Sequence, residues 1–339
     1  MKSFVKKRPV LAFLLINFVW TWLFWFAAIP FRAQERLLVT GLVLIGGYGP
    51  ALAGVLTLSL KSDKKTDLSL NRWITLIVAT AVVFGVMALR YGVGNVPNYD
   101  ILAQDLTLTA PIVIAAFIAS LVGGWVISSA VSRSDEVRVR MASMLPWRRP
   151  SGWTLLALIF YPAMILVAWG TASVLGMPVE YPALWGCPLL EVLPLYVLTF
   201  TLTMLAQGGN EEPGWRGVLQ PELQKRFSPL VAALIVSAFW SLWHLPLYLN
   251  GFYGGPLVGG MIGGGIYRIL LSIFLAWFYN RSKGDLFAMV FLHTCFNVMV
   301  NFLPTSDLGL TVLWLLIVIV IVVKDKMYRK PSDNDRSGQ

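Results

Sequence analysis

The sequence predicts an all-α protein, a polytopic bundle of transmembrane helices with about ten spans. Hydrophobic residues make up 57% of the chain and charged residues only 13%, against roughly 25% charged residues in a soluble domain. The apolar residues form long blocks, and a hydrocarbon core of about 30 Å needs roughly 20 of them for each helical span. The predicted spans are residues 9–29, 37–60, 73–89, 110–130, 153–176, 188–207, 229–249, 260–280, 286–303 and 308–323.

The basic residues between these blocks predict that both termini are cytoplasmic. Cytoplasmic loops of membrane proteins carry an excess of Lys and Arg. When the N-terminus is placed inside and every span crosses, 23 of the 27 Lys and Arg residues fall in inner segments. These segments are residues 2–8, 61–72, 133–149, 216–226, 281–283 and 324–336. We therefore expect a multi-pass protein of the cell membrane.

The net charge of +10 is explained by the same distribution. The basic residues flank the spans, where they contact anionic membrane lipids, so we expect lipid partners and no nucleic-acid partner. In this topology Cys187 lies near the outer surface and Cys295 lies inside a span, which argues against a disulfide between them.

Ionisable residues divide the chain into parts of different predicted character. The first five predicted spans contain no Asp, Glu, Lys, Arg or His, whereas later apolar blocks contain Glu191, His244, Arg268 and His293. Inserting such a group costs at least about 2.5 kcal/mol on insertion scales, so its presence favours a functional role. The predicted parts are an N-terminal bundle at 1–187, a chemically active bundle at 188–323 and a polar cytoplasmic tail at 324–339.

Two adjacent glutamates follow the sixth predicted span. Glu212 and Arg216 are four residues apart and can pair on one helix face. Glu211 is rotated by about 100° from Glu212, so it cannot face Arg216 as well. A carboxylate in a low-dielectric pocket without a cationic partner has a raised pKa, which suits a general base that works near neutral pH. Asn210 is expected to cap the helix that begins here.

The chain has only two histidines, and both lie in apolar helical segments. His293 and Asn297 are four residues apart and share a helix face. Trp240 shares a face with His244 in the same way, and Pro246 predicts that this helix bends or ends near the histidine.

These side chains suit the attack of water on an amide carbonyl. Glu211, assisted by His244, would activate the water. His293 and Asn297 would donate hydrogen bonds to the developing oxyanion, a role in which one donor can contribute about 3 kcal/mol. Structural interpretations remain open: histidines often join membrane helices, and Arg268 is expected to satisfy a neighbouring carboxylate or carbonyl.

The chain resembles the CPBP family of intramembrane endopeptidases, which comprises the CAAX proteases and the bacteriocin-processing (Abi) proteins. That family has three motifs: Glu-Glu-x-x-x-Arg, Phe-x-x-x-His and His-x-x-x-Asn. Here they stand in the same order, over about residues 188–303, as Glu211–Arg216, Trp240–His244 and His293–Asn297. The second motif departs from the pattern, because Trp240 stands where the family has Phe.

The resemblance implies an intramembrane endopeptidase that acts on a membrane-associated peptide or protein. It assigns Glu211 as the catalytic glutamate, Glu212 and Arg216 as its support, and His244, His293 and Asn297 as the other active-site residues. Some members of the family remove the last three residues of prenylated CAAX proteins, and others confer immunity or serve as scaffolds. Trp240 is expected to support the pocket.

Several alternatives remain open from the sequence. We assign no cofactor, but His244, His293 and Glu211 could instead hold a zinc ion with an open coordination position. Buried Glu, His and Arg residues also occur in transporters, although the first five spans show no repeat of the last five. A catalytically silent immunity or scaffold protein of the same fold is the third alternative.

Overall fold

The structure is a computed structural model that describes residues 2–33, 35–62, 69–92, 109–145 and 152–330. Helices dominate these ranges, where an isolated bridge between Glu180 and Thr305 is the only β pairing. The predicted all-α fold is confirmed. Residues 331–339 of the predicted polar tail lie outside the described residues.

The longer helices of these ranges are numbered in chain order. They are α1 (Pro9–Ala27), α2 (Arg36–Gly47), α3 (Gly49–Lys61), α4 (Leu70–Gly92), α5 (Ala110–Ser128), α6 (Asp135–Met141), α7 (Gly152–Val174), α8 (Leu189–Thr203), α9 (Pro229–Trp243), α10 (Leu257–Arg281), α11 (Leu286–Val298) and α12 (Asp307–Lys324). Shorter helical turns connect several of them.

Nine segments of the described chain are long and apolar enough to cross a membrane, and a tenth apolar segment, Leu286–Asn301, is shorter. The protein is therefore a multi-pass integral membrane protein, as predicted. Their number agrees with the ten blocks of the sequence, of which 286–303 is among the three shortest. The orientation of the termini stays a prediction.

The second span is two helices rather than the single helix predicted over 37–60. α2 ends at Gly47 and α3 begins at Gly49, with Tyr48 between them. Pro50 lies in the first turn of α3, where its missing N–H is tolerated, whereas inside a continuous helix it would remove a hydrogen bond. This span is the most enclosed of the nine, with 83% of its apolar window buried against 22–50% for the others. It lies at the centre of the bundle.

The third span is longer than the predicted 73–89. α4 includes Arg90, which is buried and donates from Nε to the Thr199 hydroxyl on α8 at 2.9 Å. The predicted block 73–89 itself contains no ionisable residue, and Arg90 directly follows it within the same helix. The helix continues past its apolar block, where a neighbouring hydroxyl accepts the buried guanidinium N–H.

The seventh span bends at His244, as the sequence predicted from Pro246. α9 ends at Trp243, and a short helix over Leu245–Leu249 follows after the histidine. The beginning of α9 is fixed by Ser228, whose hydroxyl accepts the Val231 N–H at 3.3 Å. The bend leaves His244 at the junction of the two helices.

Candidate active site

The two adjacent glutamates lie on a short helical turn inside the bundle. A π-helical turn, Met204–Gly208, follows α8, and a second one, Trp215–Leu219, follows the α-helical turn Glu212–Gly214. Such turns are rare and occur frequently at functional sites. Glu211, directly before this α-helical turn, is 8% exposed, and Glu212 is completely buried.

Asn210 does not cap this turn, contrary to the sequence expectation. The residue at the cap position is Glu211, and no side chain caps the turn. The buried Asn210 amide instead donates to the Ala206 carbonyl. The Asn210 carbonyl accepts the Ala51 N–H of α3 at 3.0 Å, so Asn210 joins the turn to its neighbours on both sides.

The N-terminal half of the chain packs directly against the glutamate turn. Gly214 meets α3 so closely that a Cβ there would overlap the Pro50 carbonyl group. The Tyr48 hydroxyl, at the break between α2 and α3, donates to the Leu205 carbonyl at 3.0 Å. These contacts join the break between α2 and α3 to the segment that carries the two glutamates.

Glu212 joins Arg216 to His293. Its Oε1 accepts from Arg216 Nη1 at 3.0 Å, which is the predicted i,i+4 ion pair, and also contacts His293 Nδ1 at 2.6 Å. The bond to His293 was not foreseen from the sequence. An ionised carboxylate only accepts, so Nδ1 carries the proton in this bond. That bond fixes the imidazole and leaves its Nε2 on the side of Glu211.

Glu211 has no ion pair with Arg216 among the described residues, and its carboxylate instead lies against Trp240 and His293. The Trp240 indole donates from Nε1 to Glu211 Oε2 at 2.7 Å. Glu211 Oε1 lies 4.0 Å from His293 Nε2. This distance is too long for a direct hydrogen bond, but one water can bridge two groups separated by up to roughly 5.6 Å.

The environment of Glu211 gives its carboxyl a raised pKa. Burial is the largest cause; the neighbouring His293 and the Trp240 hydrogen bond oppose it without cancelling it. The direction agrees with the sequence expectation for a general base. A raised pKa makes this carboxylate a stronger base than an exposed glutamate.

His244 also packs against Trp240. The two imidazole ring centroids of His244 and His293 are each 5.7 Å from the Trp240 ring. His244 Nδ1 lies 2.6 Å from the Trp240 carbonyl oxygen; because a carbonyl can only accept, Nδ1 is the donor. The Tyr253 ring stacks on His244 at 5.9 Å. Both imidazoles are buried, so neither faces lipid.

Asn297 differs from the other predicted catalytic residues because its side chain is exposed. It follows His293 by one turn of α11 and shares its face, as predicted. Among the described residues its side chain has no hydrogen-bond partner. The structure thus brings Glu211, His244 and His293 together around Trp240 and places Asn297 one helical turn away.

The donor set does not fit the zinc alternative. Each imidazole has its Nδ1 engaged by an oxygen acceptor, which is the usual second-shell arrangement of a metal-bound histidine. However, no three His, Cys, Asp or Glu side chains are placed to hold a metal ion in the part of the chain that the structure describes. A three-ligand zinc site formed by Glu211, His244 and His293 would need a different placement of these groups.

Tyr253 is a site residue that the sequence did not reveal. It lies in the connection between the short helix Leu245–Leu249 and α10, where no motif or helical spacing points to it. Tyr253 contacts His244 because the chain bends after the histidine. Its approach is fixed by its N–H, which donates to the Leu247 carbonyl at 3.0 Å.

Comparison with known proteins places these residues in a family context. The family described as type II CAAX prenyl endopeptidase Rce1-like matches residues 193–299. This match confirms the predicted family resemblance. The Rce1-like segment, residues 193–299, contains all three motifs and every residue of the predicted site.

A curated relative matches part of the same chain. The protein named CAAX prenyl protease 2 of Methanococcus maripaludis is 28% identical to it over 127 residues, which are 35% of this chain. The match covers 47% of that protein, so the chain spans about half the length of the curated relative. The N-terminal helices lie outside the Rce1-like segment. Their support of the site is seen in the contacts of the structure.

Proposed function

We propose that this protein is an intramembrane endopeptidase that hydrolyses a peptide bond in a membrane-associated protein or peptide. The observation that carries this proposal is the buried pair formed by Glu211 Oε1 and His293 Nε2, 4.0 Å apart. This gap leaves room for a water molecule beside the carboxylate, with the imidazole within reach of the carbonyl oxygen that becomes negatively charged as the water attacks. The Rce1-like segment and the name of the curated relative support the same reaction class.

Glu211 is the proposed general base. One of its oxygens accepts the Trp240 N–H, so the other is directed to the water. The carboxylate takes a proton from the water as the water oxygen attacks the carbonyl carbon of the peptide bond. When the C–N bond then breaks, the protonated Glu211 gives this proton to the leaving amine nitrogen. His244 assists through Nε2, since its Nδ1 is held by the Trp240 carbonyl.

His293 and Asn297 are the proposed oxyanion donors. His293 can donate from Nε2 only when both ring nitrogens carry protons, because its Nδ1 proton is used for Glu212. Asn297 can donate a hydrogen bond to the same carbonyl oxygen when its exposed side-chain amide rotates towards it. The Glu212–Arg216 pair acts through His293 by holding the ring in place.

Substitution of Glu211 by Gln tests the proposal directly. Loss of a general base typically reduces the rate by roughly 10²–10⁴-fold, and Gln keeps the size and the acceptor for the Trp240 N–H. We expect quantitative proteomics of membrane peptides to show cleavage products in cells with the wild type that are missing with Glu211→Gln. Glu191→Gln is the matched control, because Glu191 is exposed in the first turn of α8 and should retain cleavage.

An assay of the purified protein and the proteomic comparison together distinguish the alternatives. Cleavage by the purified protein should persist in a strong chelator, with no zinc found by elemental analysis, if the metal-free reaction is right. Identical peptide profiles for wild type and Glu211→Gln would instead support a silent immunity or scaffold protein, or a transporter.

A further inference from the structure

A basic pocket of about 670 Å³ lies at the N-terminal end of α1. One carboxylate and six basic residues line its charged part, which gives this part a net charge of +5. The basic residues are Lys6, Lys7, Arg8, Lys61, Lys225 and Arg226. They belong to the segments 2–8, 61–72 and 216–226, all of which the sequence predicts to be cytoplasmic. The fold therefore gathers three basic segments around one cavity.

The carboxylate of this pocket, Glu222, is already paired with two of the lysines. Lys61 Nζ lies 2.5 Å from its Oε1, and Lys225 Nζ lies 2.7 Å from its Oε2. Partial burial would raise the pKa of Glu222, but the hydrogen bonds from these lysines hold that pKa below its ordinary value. Glu222 is thus ionised at neutral pH, and both of its oxygens are engaged.

The pocket retains positive charge beyond these pairs. Lys7, Arg8 and Arg226 are exposed, and none of them has a carboxylate partner among the described residues. The fold brings Arg226 to the N-terminal segment from more than 200 positions away. Like charges in such an arrangement repel each other, and an anion bound between them would remove the repulsion. The charge of the pocket therefore indicates an anionic ligand.

An apolar wall continues the pocket along two membrane spans. Leu11 and Leu14 of α1 and Phe239 of α9 line it, and both helices belong to segments that are long and apolar enough to cross a membrane. Phe239 lies about 15 Å along α9 from its first residue, Pro229, at the usual rise per residue. A free phosphate would contact only the basic end, whereas an amphipathic lipid would fill both parts.

We propose that this pocket binds an anionic phospholipid. Its phosphate lies between Lys7, Arg8 and Arg226, and one acyl chain lies against Leu14 and Phe239. Guanidinium groups bind phosphate oxygens through paired hydrogen bonds. Basic pockets between transmembrane helices on the cytoplasmic side bind the headgroups of such lipids, and the orientation predicted from the sequence places this pocket on that side.

The pocket adjoins two elements that position the glutamate turn. Glu222 lies in the short helix Gln220–Gln224, which directly follows the π-helical turn Trp215–Leu219. Lys61 is the last residue of α3, whose first turn meets Gly214. The Lys61–Glu222 pair therefore joins the far ends of both elements. A lipid that binds the folded pocket should raise the thermal unfolding midpoint of the protein.

Lipid titration followed by native mass spectrometry tests this inference on the full-length protein in detergent. The probes are phosphatidylglycerol, which is anionic, and phosphatidylcholine with the same acyl chains, which has no net charge. The wild type should bind phosphatidylglycerol more tightly. Each basic residue near a membrane surface contributes roughly fivefold to the binding of an anionic lipid. The combined variant Lys7→Gln, Arg8→Gln and Arg226→Gln should therefore bind phosphatidylglycerol roughly a hundredfold more weakly.

The combined variant Lys324→Gln, Lys326→Gln and Arg329→Gln is the matched control. It removes three charges from exposed positions of the predicted inner segment 324–336, outside the pocket. It should bind phosphatidylglycerol as the wild type does. Inorganic phosphate is a further probe, because it offers the anion without acyl chains, and an excess of it should leave phosphatidylglycerol bound.

Three results would overturn the inference. They are equal binding of both lipids by the wild type, an equal loss of phosphatidylglycerol in the two combined variants, and complete displacement by phosphate, which would indicate a site for the free anion. The comparison of lipids on the wild type decides the question even if a variant does not fold. The measurement uses no peptide, so its outcome is independent of the proposed peptidase function.

Discussion

Trp240 contacts the other residues of the candidate site through different parts of its structure. Its N–H donates to Glu211, its carbonyl accepts from His244, and Arg216 lies over its ring at 4.8 Å. The phenylalanine of the family motif could fill the same space and provide the carbonyl, but it has no N–H. The tryptophan therefore gives this protein a direct bond to the proposed base.

Trp240→Phe should slow cleavage and move its pH dependence. Burial raises the pKa of Glu211, and the Trp240 hydrogen bond opposes that rise, so its removal raises this pKa further. The base works when ionised, and activity therefore appears as the pH rises through this pKa. We expect the rising limb of the plot of kcat/KM against pH to move to higher pH. At pH values below the pKa of Glu211, kcat/KM should be roughly tenfold lower than in the wild type.

Trp314→Phe is the matched control for this measurement. Trp314 is equally buried, but its ring packs against Phe160 and Phe274, and it has no bond to Glu211. Its substitution should leave the pH profile in place. An unchanged pH profile in Trp240→Phe would show that the indole N–H does not tune Glu211.

Much of the geometry of individual residues was predictable, because the spacing of residues along a helix determines which helix face each side chain occupies. The Glu212–Arg216 pair and the divergence of Glu211 follow from positions on one turn. The bond between Glu212 and His293 joins residues 81 positions apart, and no local rule predicts which of two glutamates meets a histidine on another helix. Arg268 was expected to satisfy a carboxylate or carbonyl, and its Nη1 has no partner among the described residues.

At the scale of elements, the break between α2 and α3 positions the glutamate turn. Because the helix is interrupted at Tyr48, the first turn of α3 presents the Pro50 carbonyl to the turn Glu212–Gly214. Gly214 lacks a side chain at this closest approach. The contact depends on backbone atoms on both sides, which cannot move aside as a flexible side chain can.

Gly214→Ala should destabilise the protein and reduce its activity. The added Cβ overlaps the Pro50 carbonyl oxygen and carbon, so either α3 or the glutamate turn must shift. Overpacking of this kind typically costs about 1–3 kcal/mol. The expected result is a lower thermal unfolding midpoint in detergent together with slower peptide cleavage.

Gly85→Ala provides the control for Gly214→Ala. Gly85 lies within α4, and a Cβ there would meet nothing within 4 Å. Alanine is favoured over glycine in a helix by about 1 kcal/mol, so the unfolding midpoint should be unchanged or higher. Equal midpoints for both variants would show that the contact between Gly214 and α3 is not tightly packed.

The number of spans was predictable from apolar length, but their internal breaks were not. The block 37–60 is continuously apolar, and its interruption was indicated only by Pro50 among several glycines. At His244 the equivalent bend was foreseen because Pro246 disfavours a continuous helix there. Similarly, α4 extends through Arg90 because Thr199 accepts its N–H, a partner 109 positions away.

At the scale of the whole molecule, hydrogen bonds join the predicted N-terminal bundle to the Rce1-like segment. Trp243 Nε1 donates to the Thr21 hydroxyl at 2.8 Å, and the Asn250 amide donates to the Trp25 carbonyl at 3.1 Å. Both donors flank His244 in sequence, and both acceptors lie on α1. The N-terminal helices therefore help to hold the second histidine, even though no proposed catalytic group lies on them.

The orientation of the molecule depends on whether the short segment Leu286–Asn301 crosses the membrane. Nine crossings would place the termini on opposite sides, and ten would place them on the same side. The Lys and Arg distribution favours ten, because 23 of 27 basic residues then fall on one side. At about 1.5 Å per residue a 16-residue helix is roughly 24 Å long, which is sufficient only where the bilayer thins or flanking residues reach the interface.

Thiol labelling in intact cells tests this orientation with residues on opposite predicted faces. Cys187 is partly exposed between α7 and α8, while Cys295 is buried, so a membrane-impermeant maleimide should label the wild type from outside and Cys187→Ser should not react. Val139, on α6 in the predicted inner segment 133–149, is 73% exposed. Val139→Cys in the Cys187→Ser background should react only after the membrane is permeabilised. Labelling of this cysteine in intact cells would show that the orientation is the reverse of the predicted one. The basic loops would then lie outside, away from the cytoplasmic lipid that their charge favours.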